Sequence, residues 1–345
     1  MNRLSLSLCT ALMFTLTLQA AAQDTTARYD HVRTIKIGGE GRWDFLEIDA
    51  TYRRLFISRE TRVMVMDLET EKIVGEIPDT PGVHGIAFVP ALDRGFTSNG
   101  GDSTVTVFEL KTLKTIGKVK ANGRPDIIIF QPVSKRILTF NHGTNDITAI
   151  DPDAMKVVGT LAAEGVPELA VADEKGHVWV NLEDKGEILQ FEAATMKVVK
   201  KFSLAPGEEP TGLAFDPKSR KLFSTCKNKH LVISDADSGK VVQTLPIGPG
   251  PDGCVRDVSN GLIFASCGGD GTVAIIREDA SGKYEVAKTV KTQVSAKTIA
   301  LDQQTHRLYL SAATPEPSTE NADKAVPKAR RRYVNGSFVV VVVGE

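Results

Sequence analysis

Seven positions in this 345-residue chain follow one another at 40, 42, 42, 43, 41 and 45 residues: Asp44, His84, Asp126, Glu168, Thr211, Asp252 and Lys297. Four carry carboxylates, one an imidazole and one an amine. Gathered in one place, such a set attracts cations, or sets a proton donor beside an acceptor for acid–base work. Turn geometry offers a second account of several members. In Pro125-Asp126, Pro167-Glu168 and Pro251-Asp252-Gly253, proline sets φ and the acidic side chain accepts from nearby N–H groups. His84 has no such account. A second set ends the apolar segment that follows each of these positions: Arg59, Asn99, Asn141, Leu182, Cys226, Cys267 and Ala312, with Asn181 and His142 alongside. The candidate ligand-binding residues drawn from both sets are Asp44, His84, Asn99, Asp126, Asn141, His142, Glu168, Asn181, Asp252 and Lys297.

Bonds from N or O ligands to a metal are about 2 Å long. Residues on opposite sides of a seven-membered ring are too far apart to share one ion, so a divalent metal would sit between neighbours, near Asp44 and His84 or near Asp126 and Glu168. No cofactor is assigned. There is no HExxH pair, no Cys/His cluster and no CxxCH haem site. Residues 141–146 (NHGTND) and 268–271 (GGDG) read as tight hairpin turns, and no GxSxG elbow occurs.

These residues are carried by a repeat. Segments 45–49 (FLEID), 86–90 (IAFVP), 128–132 (IIFQP), 169–173 (LAVAD), 213–217 (LAFDP), 254–257 (CVRD) and 299–302 (IALD) align in the same period. A second apolar run follows each, as in 55–59 (LFISR), 137–141 (ILTFN) and 308–312 (LYLSA). Third and fourth runs follow, as in 150–161 (IDPDAMKVVGTL). Short Val/Ile/Phe-rich runs broken by Gly, Pro, Asp and Asn are strands, and nothing shows sustained helical periodicity. Four strands per period of about 42 residues describe a blade that buries its faces only against other blades. The expectation is all-β: a seven-bladed β-propeller with four antiparallel strands per blade. The last period stops at 337–345 (SFVVVVVGE), one strand short, and 31–37 (HVRTIKI) is a lone strand. The N-terminal strand is therefore expected to complete the last blade and close the ring.

LFISR, GFTSN, ILTFN and LYLSA resemble the strand motif of the YVTN-type, YncE-like bacterial β-propellers, and GPGPDG (248–253) and NGRPD (122–126) resemble that family's inter-blade turns. The resemblance covers nearly all of residues 23–345. It implies a seven-bladed, exported propeller, and carries no general catalytic motif. The chain departs from the pattern in the last blade, where a Pro-rich charged stretch, 314–336, separates the second and third strands. If that stretch rises beside the ligand face it could act as a lid, and its run at Lys328 and Arg330 to Arg332 could meet an anionic partner.

Residues 1–22 read as a signal peptide: Arg3, an apolar run from Leu4 to Leu18, and small residues before a cut near Ala22. The run is too short for a membrane-spanning helix, which needs about 20 residues. A periplasmic or secreted protein is expected. Cys226, Cys254 and Cys267 are then an odd number in an oxidising compartment, and their pairing is open. Lys+Arg 42 against Asp+Glu 43 argues against a generally basic nucleic-acid surface, and 6% aromatic content argues against a platform for stacking single strands.

The leading functional expectation is a non-catalytic binding or interaction module that uses the channel mouth. Its partner would be a small polar molecule or an envelope protein or peptide, and the chain would be a monomer. The alternative is a propeller enzyme, a lactonase-like hydrolase or an oxidoreductase, using the acidic mouth with or without a metal.

Overall fold

The computed structural model describes residues 25–317 and 332–345. The expected leader, its cut near Ala22, and most of the 314–336 excursion with Lys328 and Arg330 lie outside the described residues. At the ends of that excursion the backbone pairs with itself. Pro315 bridges Tyr333, the Glu316 amide donates to the Arg332 carbonyl at 3.0 Å, and the Val334 amide donates to the Thr314 carbonyl at 2.9 Å.

Seven four-stranded antiparallel sheets form the blades. Six are consecutive meanders; in blade 3, for example, Pro125–Gln131, Arg136–Asn141, Asp146–Asp151 and Lys156–Ala162 pair in order. Polar turn chemistry ends most of the inner strands. Asp49 accepts from the Thr51 and Tyr52 amides at 2.9 and 3.2 Å, and Asp216, Asp257 and Asp302 cap equivalent turns. The alternate apolar residues pack blade on blade. Phe264, Ile275, Leu310 and Val341 share one such cluster between blades 6 and 7. Charged links tie neighbouring blades near the same turns. Arg53 grips Asp302 through both guanidinium nitrogens at 2.8 and 2.7 Å, Arg256 meets Asp216 at 3.0 Å, and His306 meets Asp257 at 2.6 Å.

The seventh sheet has the order that closes the ring. Strand Val32–Lys36 pairs antiparallel with Val339–Val343, in register from Val32 opposite Val343 to Lys36 opposite Val339. The preceding turn is pinned as well: buried Tyr29 packs edge-on to Phe264 with ring centroids 4.9 Å apart, and Arg28 donates to the Thr305 and Glu345 carbonyls. A sheet edge that would otherwise template further pairing is thereby covered. Cys226, Cys254 and Cys267 are free and buried, and burial pushes the Cys226 thiol up to about 12 and the Cys267 thiol up to about 11. Among the described residues no helix is long and apolar enough to cross a membrane.

Candidate functional site

The inner strands begin irregularly, and the irregularity falls on the candidate residues. Register shifts lie between Val83 and Ile86, Pro125 and Ile127, Pro167 and Ala170, Pro210 and Leu213, and Pro251 and Gly253. His84, Asp126, Glu168, Thr211 and Asp252 therefore sit in bulges, which free a side chain from the pleat and re-aim it. At three blade boundaries a second-strand serine fixes the backbone of the next blade's mouth residue. The Ser58 hydroxyl donates to the His84 carbonyl at 2.6 Å, Ser98 to the Asp126 carbonyl, and Ser266 to the Lys297 carbonyl at 2.5 Å. Thr298 closes the circuit on the Asp44 carbonyl at 2.7 Å. Side chain to backbone bonds thus cross the boundaries between blades 1 and 2, 2 and 3, 6 and 7, and 7 and 1 beneath the mouth.

Two clusters result. In the first, His84 Nδ1 lies 2.6 Å from Asp44 Oδ2 and 3.5 Å from Asp126 Oδ1. Lys297 Nζ joins it, 2.7 Å from Asp252 Oδ2 and 3.7 Å from Asp44 Oδ1. In the second, His142 Nε2 lies 3.9 Å from Glu168 and 4.0 Å from Glu183, and Lys227 pairs with Glu183 and, at 3.2 Å, with Glu209. Each cluster holds one imidazole and two carboxylates whose ligand atoms lie within 4.8 Å of one another. Asp126 therefore groups with Asp44 and His84, and Glu168 with His142 and Glu183, whereas spacing alone suggested Asp126 with Glu168.

Burial and neighbouring charge set the protonation of these groups. Desolvation opposes charge on His84, but the Asp44 hydrogen bond and the Asp126 charge outweigh it and raise the imidazole pKa. Desolvation would raise Asp44, yet Lys297 and His84 hold it below the usual carboxylate range. Asp126 is raised by desolvation, only partly offset by His84. Glu168 goes furthest, to about 9, through desolvation and then the charges of Asp126, Glu183 and Asp252. Desolvation works against the Lys297 ammonium, but Asp252 and Asp44 overcome it and raise its pKa. At neutral pH the mouth thus holds a proton on Glu168 and an ammonium on Lys297.

The three asparagines are placed differently. Asn99, Asn141 and Asn181 are fully buried. Asn99 donates to Thr104 and Thr106 and accepts from Thr97; Asn141 donates to Asp146 and Thr148 and accepts from Thr139. Asn181 donates to the Thr211 and Gly212 carbonyls and accepts from Ser224. Their amides hold the blades and the blade-5 bulge together. Arg59 is likewise buried. It donates to carbonyls of Gly38, Glu40, Gly41 and Arg42, and its guanidinium lies 3.9 Å from the centre of the Phe338 ring. Trp43 packs edge-on to Tyr333 at 4.5 Å and against Phe338, on the wall of a cavity of about 480 Å³ at the rim.

Glu183 and Lys227 are the site residues the sequence reading passed over. They belong to the ring one position past the second-strand ends: Glu60, Gly100, His142, Glu183, Lys227, Gly268 and Ala313. The legible signal was compensation of size. Gly100 stands beside His84, where a Cβ would come within 3.0 Å of Nε2, and Gly268 stands beside Lys297, where a Cβ would meet the lysine Cβ at 2.7 Å. Glycines thus stand beside His84 and Lys297, and charged residues of the same ring, His142 and Glu183, stand beside Glu168.

No protein-family model and no curated protein matches the chain by sequence. Solved structures do match in shape. A chain of Kuenenia stuttgartiensis hydrazine synthase superposes with a TM-score of 0.70 at 17% identity, covering 80% of this chain and 94% of that one. A chain of the mitotic checkpoint complex gives 0.71 at 13% identity, covering 88% and 95%, and U3-55K gives 0.74 at 7%, covering 90% and 98%. At these identities the likeness establishes the propeller fold and nothing about chemistry.

Proposed function

We propose that the protein is a binding module of the YVTN-type, YncE-like class, exported to a periplasm or secreted. Its channel mouth takes a small polar molecule, or an exposed segment of an envelope protein or peptide, through a cationic group. One observation carries the reading: Asp44, Asp126, Glu168, Glu183 and Asp252 converge on one bulge-built mouth against fewer cations, with one acid holding a proton that a bound cation would displace. The inter-blade bonds beneath these residues support recognition without rearrangement. Among the described residues neither His84 nor His142 hydrogen-bonds a serine, threonine or cysteine side chain, so neither forms a base–nucleophile pair of the usual kind.

The test is a thermal-shift and calorimetric titration with spermidine and with a lysine-rich peptide. Binding to the wild type, lost in a His84→Ala, Asp126→Ala, Glu168→Ala triple variant that keeps the fold, supports the reading. Equal binding to both proteins, or no binding to either, refutes it. The two His–carboxylate clusters favour a second reading, in which each could hold a divalent metal and the chain is a hydrolase or oxidoreductase. A stoichiometric metal after purification without chelator, with turnover on a lactone or quinone-linked panel, would put that reading first.

A further inference from the structure

A different position on the inner strands carries one carboxylate and six aliphatic side chains. Blade 1 has Glu47; the other blades have Ala87, Ile129, Val171, Ala214, Val255 and Ala300. Register makes them equivalent, because each lies opposite a large apolar residue of its second strand, from Phe56 in blade 1 to Tyr309 in blade 7. Glu47, Val171, Ala214, Val255 and Ala300 line one cavity of about 600 Å³. Ala50, Val258 and Gln303, from turns at the end of the propeller away from the mouth, also border it. Phe45, next in the chain to Asp44, packs against the apolar cluster of blades 3 and 4. The volume falls within the roughly 300–1,000 Å³ of small-molecule sites.

Glu47 is out of keeping with its surroundings. It is exposed on the chamber wall, and among the described residues it has no ion-pair partner. Among the described residues its side chain's only hydrogen bond is from the Ile48 amide, at 3.2 Å. The other charged side chains on the wall are already committed, Arg256 to Asp216 and Asp302 to Arg53. Desolvation alone pushes the Glu47 carboxyl up to about 7, with no neighbouring charge contributing. Six blades fill the same position with an aliphatic group, so packing does not require an acid here. A carboxylate without a partner beside aliphatic side chains is free to take a cationic head group.

We propose that this chamber is a second ligand site, separate from the mouth, for a small amphiphilic organic cation: an ammonium head on Glu47 and an apolar body against the aliphatic belt. A primary ammonium suits it, since its N–H donors make charge-assisted bonds to a carboxylate whose lone pairs are otherwise nearly unused. Binding takes the ionised acid, so complex formation below neutrality releases a proton from Glu47. The site does not rest on the reading of the mouth.

The experiment is isothermal titration of the whole protein with octylammonium chloride, with octanol and octanoate as matched probes. The expected result is one octylammonium per chain at pH 8. With a carboxyl titrating near 7, the ionised fraction implies about tenfold weaker binding at pH 6. Glu47→Gln is expected to lower the affinity at least about tenfold and flatten the pH profile, a loss of the size expected for one charge-assisted pair. Val255→Phe, which keeps the acid and fills the chamber, is expected to abolish binding. Thermal unfolding shows whether each variant keeps its fold, and the pH profile of the wild type decides if one does not. No octylammonium binding, octanol binding as tightly as octylammonium, a flat profile in the wild type, or an unchanged affinity in a folded Glu47→Gln variant would each overturn the proposal.

Discussion

Replacing Glu168 with glutamine should stabilise the protein, and more so the higher the pH. The folded state holds the Glu168 proton up to about 9, against an ordinary value of 4.5, because the carboxyl is desolvated and faces Asp126, Glu183 and Asp252. Between those two values the folded chain binds a proton that the unfolded chain has released, so stability falls as pH rises through that window. Below 4.5 both states are protonated and the contribution is fully present; above 9 the loss is complete. One pKa unit corresponds to about 1.4 kcal/mol, so between pH 4.5 and 7 the wild type loses roughly 3 kcal/mol at this residue. The side chain is only 16% exposed, so solvent screening discounts little of that figure. Glutamine keeps the shape of the neutral acid and has no proton to lose. Its advantage should be near zero at pH 4.5 and of the order of 5 °C in Tm at pH 7 for a chain of this size. Scanning calorimetry of both proteins from pH 4.5 to 9 measures the difference. A difference in Tm that does not change with pH, or a variant less stable than the wild type at pH 8, would refute the reasoning that the mouth holds this acid neutral.

Two further outcomes follow from the architecture. Ser98→Ala removes the hydroxyl that donates to the Asp126 carbonyl and accepts from the Gly85 amide at 2.8 Å, so it should cost about 1–3 kcal/mol in denaturant unfolding and loosen Asp126; an unchanged midpoint would mean water replaces both bonds. Deleting residues 23–37 strips the strand Val32–Lys36 from Val339–Val343 and exposes a five-valine edge. The truncated chain should aggregate or unfold, by size-exclusion chromatography and circular dichroism, and a soluble folded monomer would show that the ring does not need its closing strand.

How much was legible in the residues depended on how local the governing physics is. Strand identity, the four-strand blade, the seven-fold count and the closing of the last sheet by HVRTIKI all follow from apolar alternation, turn residues and a period near 42, each of which acts over a few residues or repeats along the chain. The repeat also placed Asp44, His84, Asp126, Glu168, Asp252 and Lys297 on one ring. It did not show which of them meet. Bulges turned Asp126 toward His84 rather than Glu168, and long side chains chose partners by reach and charge across blade boundaries. Asn99, Asn141 and Asn181 look like polar site residues in one dimension, yet their amides are spent inside the blades, which only the packed sheets could reveal. Glu183 and Glu47 mark the same boundary from the other side. An acid directly after a strand, or in the middle of one, is unremarkable in a list of residues. Only the closed ring sets Glu183 beside His142 and Lys227, and Glu47 on the wall of an aliphatic chamber. Composition and period thus determined the scaffold, because they act locally and repeat. Closure of the ring determined the chemistry, because desolvation and charge pairing depend on neighbours from different strands and blades, far outside any local window of sequence.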